Sequence, residues 1–302
     1  MGSTLIVNPG STSRKYALYR DGVCIVVLSC ETTGSGFCMN VFRNGTKVSE
    51  KEMTANEFSR SVKYAVAYLV SHSDIVSTDA IQSVGIRVVA PGTYFTKHRL
   101  IDSEYVHKLK EVEDVAPLHV PGLIDEIKSV GKVLPDVAMH GISDSAFHTT
   151  VPEYISTISI PKADAIKYDI RRFGYHGISF ASISRRLEEQ FGKIPERTIV
   201  CHIGGGVSIA ALKDGKSIST SMGYSPVSGT IMGSRGGDIT AGVVAALTVR
   251  KRLRGKKLYE YLYKESGFKG VAGVSDLRLV LERRASGDPE AILAIDMFVH
   301  EV

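Results

Sequence analysis

One pattern is written twice in this chain. Residues 6–22 read IVNPGSTSRKYALYRDG and residues 199–215 read IVCHIGGGVSIAALKDG, aligned without a gap 193 positions apart. In each copy an apolar strand runs into a cluster of glycine and small hydroxyl residues, and a second alternating strand follows. Each then closes on a basic residue and Asp-Gly (Arg20-Asp21-Gly22 and Lys213-Asp214-Gly215), the signal of a tight hairpin turn. Small residues between two strands let backbone N–H groups point at a phosphate, because no side chain blocks the approach. Two such loops predict two similar domains, each offering one phosphate grip. A lone Gly-rich loop would signify only a turn.

At 302 residues the chain favours about two domains, each large enough to bury a core. With 43% apolar residues and no low-complexity tract, wholesale disorder is excluded. A net charge of +5 is small for this length and implies no nucleic-acid partner. The basic cluster of Arg250, Lys251, Arg252, Arg254, Lys256 and Lys257 follows an apolar helical stretch, has no interleaved aromatics, and reads as a solvated helix end. Cys24, Cys30, Cys38 and Cys201 form no CxxC pair, which argues against structural zinc. Without a secretory signal they read as reduced thiols of a cytoplasmic protein. The longest apolar run, near 22–28, is far short of a membrane span.

Strand patterns at 4–7, 15–19, 23–28, 81–89 and 137–142 alternate with helical spacing at 56–71, begun by Asn56, and at 119–130, where Pro121 falls in the first turn. A loop is expected at Ala90-Pro91-Gly92. The second half opens with the β-branched stretch 157–160 and a loop at 171–177, then a helix over 179–190 and the repeated hairpin over 198–218. Residues 223–237 make a loop too long for a mere connector. Helices follow at 241–253 and 258–264, and another starts at Asp288-Pro289 with Ile292, Ile295, Val299 and Val302 as its apolar face. The alternation predicts an α/β fold.

Polar residues gather at strand ends and in loops, where open α/β sheets place ligands: Asn8, Ser13, Arg87, Asp144, His176, Arg235 and Asp238. Singly, each has a structural reading as turn former, helix cap or ion-pair partner. Together they supply what phosphoryl transfer needs, with arginines to neutralise the transferring group, a carboxylate to orient magnesium or the nucleophile, and backbone loops for phosphates.

The segments VNPGSTSRK, IRVVAPG, APLHVPG, SDSAFHTTVPEY, IRRFGYHGIS, HIGGGVSIAALKDGKSISTSMGYSP, GTIMGSRGGDI and SGFKGVAGVSDLR, in this order, resemble the acetate kinase family, whose relatives include propionate and butyrate kinases. The resemblance implies an α/β fold of two ribonuclease-H-like domains, shared with sugar kinases, actin and heat-shock ATPases. Residues 1–147 would form the N-terminal domain with the carboxylate side of the cleft, and 148–302 the nucleotide-binding domain. It implies ATP-dependent phosphorylation of a short-chain carboxylate, acetate first, to an acyl phosphate, with Mg2+ as cofactor, ATP/ADP as co-substrate and a homodimeric assembly. Carried over by position, Asp144 matches the catalytic aspartate, and His176 and Arg235 the groups that stabilise the transition state. Asn8 matches a magnesium-associated asparagine. Arg87 matches the arginine that meets the carboxylate, and Val89, Leu118, Tyr175 and Pro226 the acyl pocket. Ser13, Lys15 and the loop His202, Ile203, Gly204, Gly205, Gly206 match phosphate-side residues, and Asp276, Leu277 and Arg278 a nucleoside-contacting stretch.

This chain departs from the family wording. Ala90-Pro91-Gly92 stands where His-Gly-Gly is usual, and Gly205 where the phosphate loop carries asparagine. Pro9 and Thr12 lean toward butyrate kinases, while APLHVPG and SDSAFH lean toward acetate kinases. The family continues past the position of Val302 with a second Gly-rich nucleotide segment and a late metal-associated glutamate. The reading is therefore of a C-terminally shortened homologue with an incomplete second domain. Against the kinase stand a propionate or butyrate kinase and, from another class, a catalytically incompetent phosphate- or nucleotide-binding module.

Overall fold

The computed structural model describes residues 2–10, 13–34 and 36–302. The chain divides into two compact units, Met1–Ala90 with Lys97–Ser143, and Pro91–Thr96 with Asp144–Val302. Against the expected boundary after residue 147, residues 144–147 and the short segment 91–96 pack with the second unit.

The first unit runs β1 (Ser3–Pro9), β2 (Ser13–Arg20), β3 (Val23–Thr32), β4 (Phe37–Arg43), β5 (Thr46–Met53), α1 (Ala55–Ser59), α2 (Ser61–Ser71), β6 (Ile81–Val88), β7 (Arg99–Leu100), α3 (Ser103–Glu111), α4 (Val120–Val133) and β8 (Ala138–Ser143). One eight-stranded sheet takes the order β5-β4-β3-β2-β1-β6-β8-β7. Strands β1 to β5 form an antiparallel meander, and β6 and β8 then add in parallel. Tight turns at Asp21-Gly22 and Asn44-Gly45 have φ of 50° and 79°, and 49° and 77°, the left-handed pair that matches strand twist. The expected 56–71 helix is two helices. Its N-cap is Thr54, not Asn56, because Thr54 and Glu57 build a reciprocal capping box, and it breaks at Arg60.

The sheet buries Leu5, Val7, Leu18, Leu28, Val84 and Ile86 against Val62, Leu69, Val120 and Ile127. A polar network threads this core. The Tyr16 hydroxyl donates to Glu126 Oε1 at 2.7 Å and accepts from Ser61 Oγ at 2.7 Å. The Arg14 guanidinium lies 3.3 Å from Glu126 Oε2 and also donates to the carbonyls of Phe58 and Ser59 at the α1–α2 junction.

The second unit contains α5 (Glu153–Ser156), α6 (Lys162–Lys167), α7 (Gly177–Phe191), β9 (Arg197–Ile203), β10 (Val207–Lys213), β11 (Lys216–Thr220), α8 (Ala241–Arg250), α9 (Gly255–Lys264), α10 (Gly267–Ala272), α11 (Leu277–Ala285) and α12 (Pro289–Glu301). Its three strands form a second meander, turned at Asp214-Gly215 with φ of 48° and 74°. The two copies of the repeated pattern thus lie in separate sheets. Residues 157–160 carry no strand, and the 241–253 helix ends at Arg250. Phe180, Val200, Ala210 and Leu212 pack α7 on this sheet. A second core joins Ile231, Phe268, Ala272 and Val280 to Ala291, Ala294 and Ile295 of α12. Of the expected apolar face of α12, Ile295 turns inward, whereas Ile292 and Val299 are 36% and 65% exposed.

Burial pushes the Glu126 carboxyl above its ordinary value, outweighing the opposite effects of Tyr16 and Arg14. The folded state therefore holds that proton more tightly than the unfolded chain. Its contribution to stability is fully present below the ordinary glutamate value and is lost as pH rises through the raised one. Glu126→Gln removes the titration while keeping the volume. Thermal melts at pH 5 and pH 8 should show the variant gaining on the wild type at the higher pH. A difference independent of pH contradicts this account.

Candidate functional site

Asp144 follows β8 directly, is 1% exposed, and makes two bonds that organise the second unit. Its Oδ2 accepts the His176 N–H at 2.9 Å, and its carbonyl accepts the Gly177 N–H at 2.7 Å. His176 has φ 60° and ψ 20°, a left-handed conformation unfavourable to a residue with a Cβ. Such strain costs on the order of 1–3 kcal/mol and persists only where the surroundings over-determine it. The imidazole is held as well, with Nδ1 2.9 Å from Ser208 Oγ on β10 and its ring stacked on His202 at 4.1 Å between centroids. His202 Nδ1 in turn meets Ser179 Oγ at 2.9 Å.

The β9–β10 loop closes through the Gly204 N–H to the Gly206 carbonyl at 3.0 Å. A Cβ built on Gly206 would lie 3.0 Å from Arg235 Nη1, 3.2 Å from His176 Cε1 and 3.4 Å from His176 Nε2. The loop backbone, an imidazole and a guanidinium therefore surround one point. Around Gly205 there is open space, so the missing asparagine side chain leaves room rather than a clash. The partners of Arg235 are neutral: the Pro226 carbonyl at 3.0 Å, Met232 Sδ at 3.7 Å and the Tyr263 ring, 4.5 Å from the guanidinium carbon.

Arg235 rides on a tightly anchored loop. The Met232 N–H donates to the Arg235 carbonyl, and the Met232 and Gly233 carbonyls accept from Phe268 and Lys269. Ser275, just before α11, approaches the same loop, its carbonyl 2.8 Å from where a Gly233 Cβ would lie. Asp276 caps α11 and pairs with Arg278 through both oxygens at 3.0 and 2.6 Å. That guanidinium holds the Asp276 carboxyl down at about 2. Leu277 is half-buried beside them, and Ile203 at the end of β9 is 50% exposed.

In the first unit the parallel strands β1, β6 and β8 end together, with Asn8 beyond the Val7–Ile86 pair and Val88 opposite Ser143. Arg87 Nη1 donates to Asn8 Oδ1 at 3.3 Å. Lys15 pairs across the ladder with Asn8, and the Ser13 carbonyl accepts the Gly10 N–H at 2.8 Å. Ser11 and Thr12 lie outside the described residues. Of the expected acyl-pocket residues, half-buried Val89 and Leu118 belong to the first unit, buried Tyr175 and Pro226 to the second. The Tyr175 hydroxyl donates to the Tyr224 carbonyl at 2.7 Å.

Among the described residues no group of three His, Cys, Asp or Glu side chains gathers as a cation cage. Magnesium at phosphates ordinarily takes only one or two carboxylates, with water and phosphate oxygens completing the shell. The buried Asp144 fits that requirement. Asn8 fits it less well, since the Arg87 cation already occupies its oxygen.

Sequence reasoning missed the residues that hold the site in place. His148 is 4% exposed, meets Ser217 Oγ at 2.9 Å with Nδ1 and the Tyr175 carbonyl at 3.0 Å with Nε2, and burial pushes its imidazole down toward the neutral form. It stands inside the SDSAFH segment, which is where the signal was. Ser208 likewise stands inside the quoted HIGGGVSIAALKDG segment, whereas Tyr263 left no comparable mark.

The sequence model of the Acetokinase family matches residues 3–302. The chain is 36% identical over 308 residues to the acetate kinase of Geobacillus sp. (strain WCH70), covering 100% of this chain and 77% of that protein. It is 38% identical to the acetate kinase of Phocaeicola vulgatus, covering 99% and 77%. Among solved structures, a propionate kinase from Francisella tularensis superposes with a TM-score of 0.90 at 32% identity, covering 100% of this chain and 78% of that one. An acetate kinase from Porphyromonas gingivalis gives 0.83 at 33%, covering 100% and 77%.

Gly267 provides a test of how the Arg235 loop is held. Its φ is +66°, and a Cβ there would meet the Met232 carbonyl oxygen at 2.2 Å and the Arg235 carbonyl oxygen at 2.6 Å. Gly267→Ala should lower stability by at least about 1–3 kcal/mol from backbone strain alone, read by urea denaturation. A neutral substitution would mean that the loop is not constrained there.

Proposed function

Because this chain belongs to the Acetokinase family, phosphotransferases with a carboxylate acceptor, we propose that it transfers the γ-phosphoryl group of ATP to a short-chain carboxylate, acetate first, and runs the reverse reaction from acyl phosphate and ADP. The observation that carries this reading is the convergence of the Gly206 backbone, His176 and Arg235 on one point. In the transfer, a carboxylate oxygen forms a bond to the γ-phosphorus while the bond from that phosphorus to the bridging oxygen breaks, leaving ADP. Both reactants are anions, so their approach is repelled unless charge is compensated.

In this reading Arg87, oriented by Asn8, anchors the carboxylate, whose geometry a guanidinium matches. Val89, Leu118, Tyr175 and Pro226 bound the acyl chain. Arg235 and His176 face the equatorial phosphoryl oxygens, and the loop of His202, Ile203, Gly204, Gly205 and Gly206, closed by the Gly204 N–H, cradles phosphates with its remaining backbone donors, as do Ser13 and Lys15. The nucleoside rests near Asp276, Leu277 and Arg278. Asp144 is no general base, because a carboxylic acid is already ionised at neutral pH. It fixes His176 and would hold Mg2+, which when bound neutralises phosphate charge. We further read the protein as a cytoplasmic homodimer. No helix among the described residues is long and apolar enough to cross a membrane, and sedimentation tests the dimer.

A propionate-preferring enzyme is the second reading, favoured by the 0.90 TM-score to the Francisella propionate kinase. Acyl hydroxamate formation with magnesium-ATP and acetate, propionate or butyrate decides the acceptor. No product with any of them, with ATP binding retained, would leave a nucleotide-binding module.

Arg87→Ala should chiefly raise KM for the carboxylate. Arg235→Ala and Asp144→Ala should chiefly lower kcat, by about 10²–10³-fold, the effect of losing one preorganised electrostatic group. Steady-state kinetics in which all three raise KM with kcat intact would contradict these roles.

A further inference from the structure

Residues 91–96 lie between β6 and β7 of the first unit's sheet, yet they pack with the second unit. There a single carboxylate grips them: Asp169 Oδ2 accepts the Thr93 N–H at 2.5 Å and Asp169 Oδ1 accepts the Thr93 hydroxyl at 2.7 Å. The segment is a compact turn, with the Phe95 N–H on the Gly92 carbonyl at 3.0 Å, Thr96 Oγ1 on the Thr93 carbonyl at 2.8 Å, and Phe95 buried. Both sides of the grip use backbone that most residues avoid. Gly92 has φ +115°, and Asp169, just past α6, has φ +49°. An aspartate tolerates that region better than most side chains, but glycine is the default there. A carboxylate kept at such a position and bonded through both oxygens to one threonine reads as a device rather than a turn filler.

We propose that Asp169 is a positioning residue for the acceptor site. By clasping Thr93 it fixes the chain that continues directly from Arg87 through Val88, Val89 and Ala90, and so keeps Arg87 and Val89 set for the acceptor's carboxylate and acyl chain. The inference rests on the reading of Arg87 as carboxylate anchor. Asn8 holds the Arg87 side chain from one flank, and the clasp holds the backbone that follows it. Small displacements of a positioning group are costly because the reacting atoms must meet in a narrow range of geometries.

Asp169→Gly suits the φ of the site and deletes the carboxylate, so it removes the clasp without adding strain. Its KM for the carboxylate should rise about tenfold, while kcat and the KM for ATP stay within about twofold of wild type. Thr93→Ser keeps both hydrogen bonds and should behave as wild type, whereas Thr93→Val keeps only the N–H bond and should fall between. Independently of activity, hydrogen exchange in Asp169→Gly should quicken over residues 86–96. An unchanged carboxylate KM, equal changes in all three kinetic constants, or exchange unaltered over 86–90 would overturn the proposal. A wild-type protein that forms no acyl hydroxamate would refute the enzymatic reading instead, and the exchange measurement would still decide the clasp.

Discussion

The second unit's site depends on one aspartate spending its bonds on its neighbours' backbone. Asp144 accepts the N–H of His176 with its carboxylate and that of Gly177 with its carbonyl. The first bond holds a histidine in the left-handed region, and the second sets the first residue of α7. Gly177 has no alternative there, since a Cβ would lie 2.5 Å from the Asp144 carbonyl oxygen. Without these contacts His176 would relax toward common backbone angles and swing its ring away from Gly206 and Arg235. A buried carboxylate that accepts a backbone donor is also fixed in direction.

The repeated meander serves its two units in different chemical currencies. In the first copy the turn between β1 and β2 is bordered by side chains with polar heads, Asn8, Ser13 and Lys15. In the second, Gly204, Gly205 and Gly206 leave only the backbone. A lysine supplies a mobile point charge, whereas backbone N–H groups supply fixed dipoles at short range. Anchored stacking behind the glycine loop, His202 on His176 with Ser179 and Ser208 beneath, provides the rigidity that the loop's own sequence lacks.

What was legible in the sequence follows from which forces are local. The repeated meander could be read because Asp-Gly turns and alternating strands act over a few residues. β4 escaped notice because residues 38–41 are all buried, and β5 because residues 46–52 are all exposed, so neither shows an apolar alternation. Such a polar edge strand is how sheets avoid pairing with strangers, and only Asn44-Gly45 announced it. The break at Arg60 was invisible because the apolar spacing runs through it, while Arg14, 45 residues earlier, bonds the carbonyl freed there. At the site, Asp144, His176, Gly206 and Arg235 could be named from their motifs and are found together. His148, Ser208 and Asp169 act through partners 27 to 76 positions away, distances at which no periodicity survives.

Among the described residues the second sheet runs β11-β10-β9, which gives β9 a ladder on one side only. Ile199 and Ile203 stand 68% and 50% exposed on it, with Cys201 between them also exposed. On the matching strand of the first copy, β1, that second side is filled by β6 in parallel. The strand that leads into the loop at His202 is therefore where a further parallel strand would extend this sheet, and a partner there would stiffen the footing of that loop.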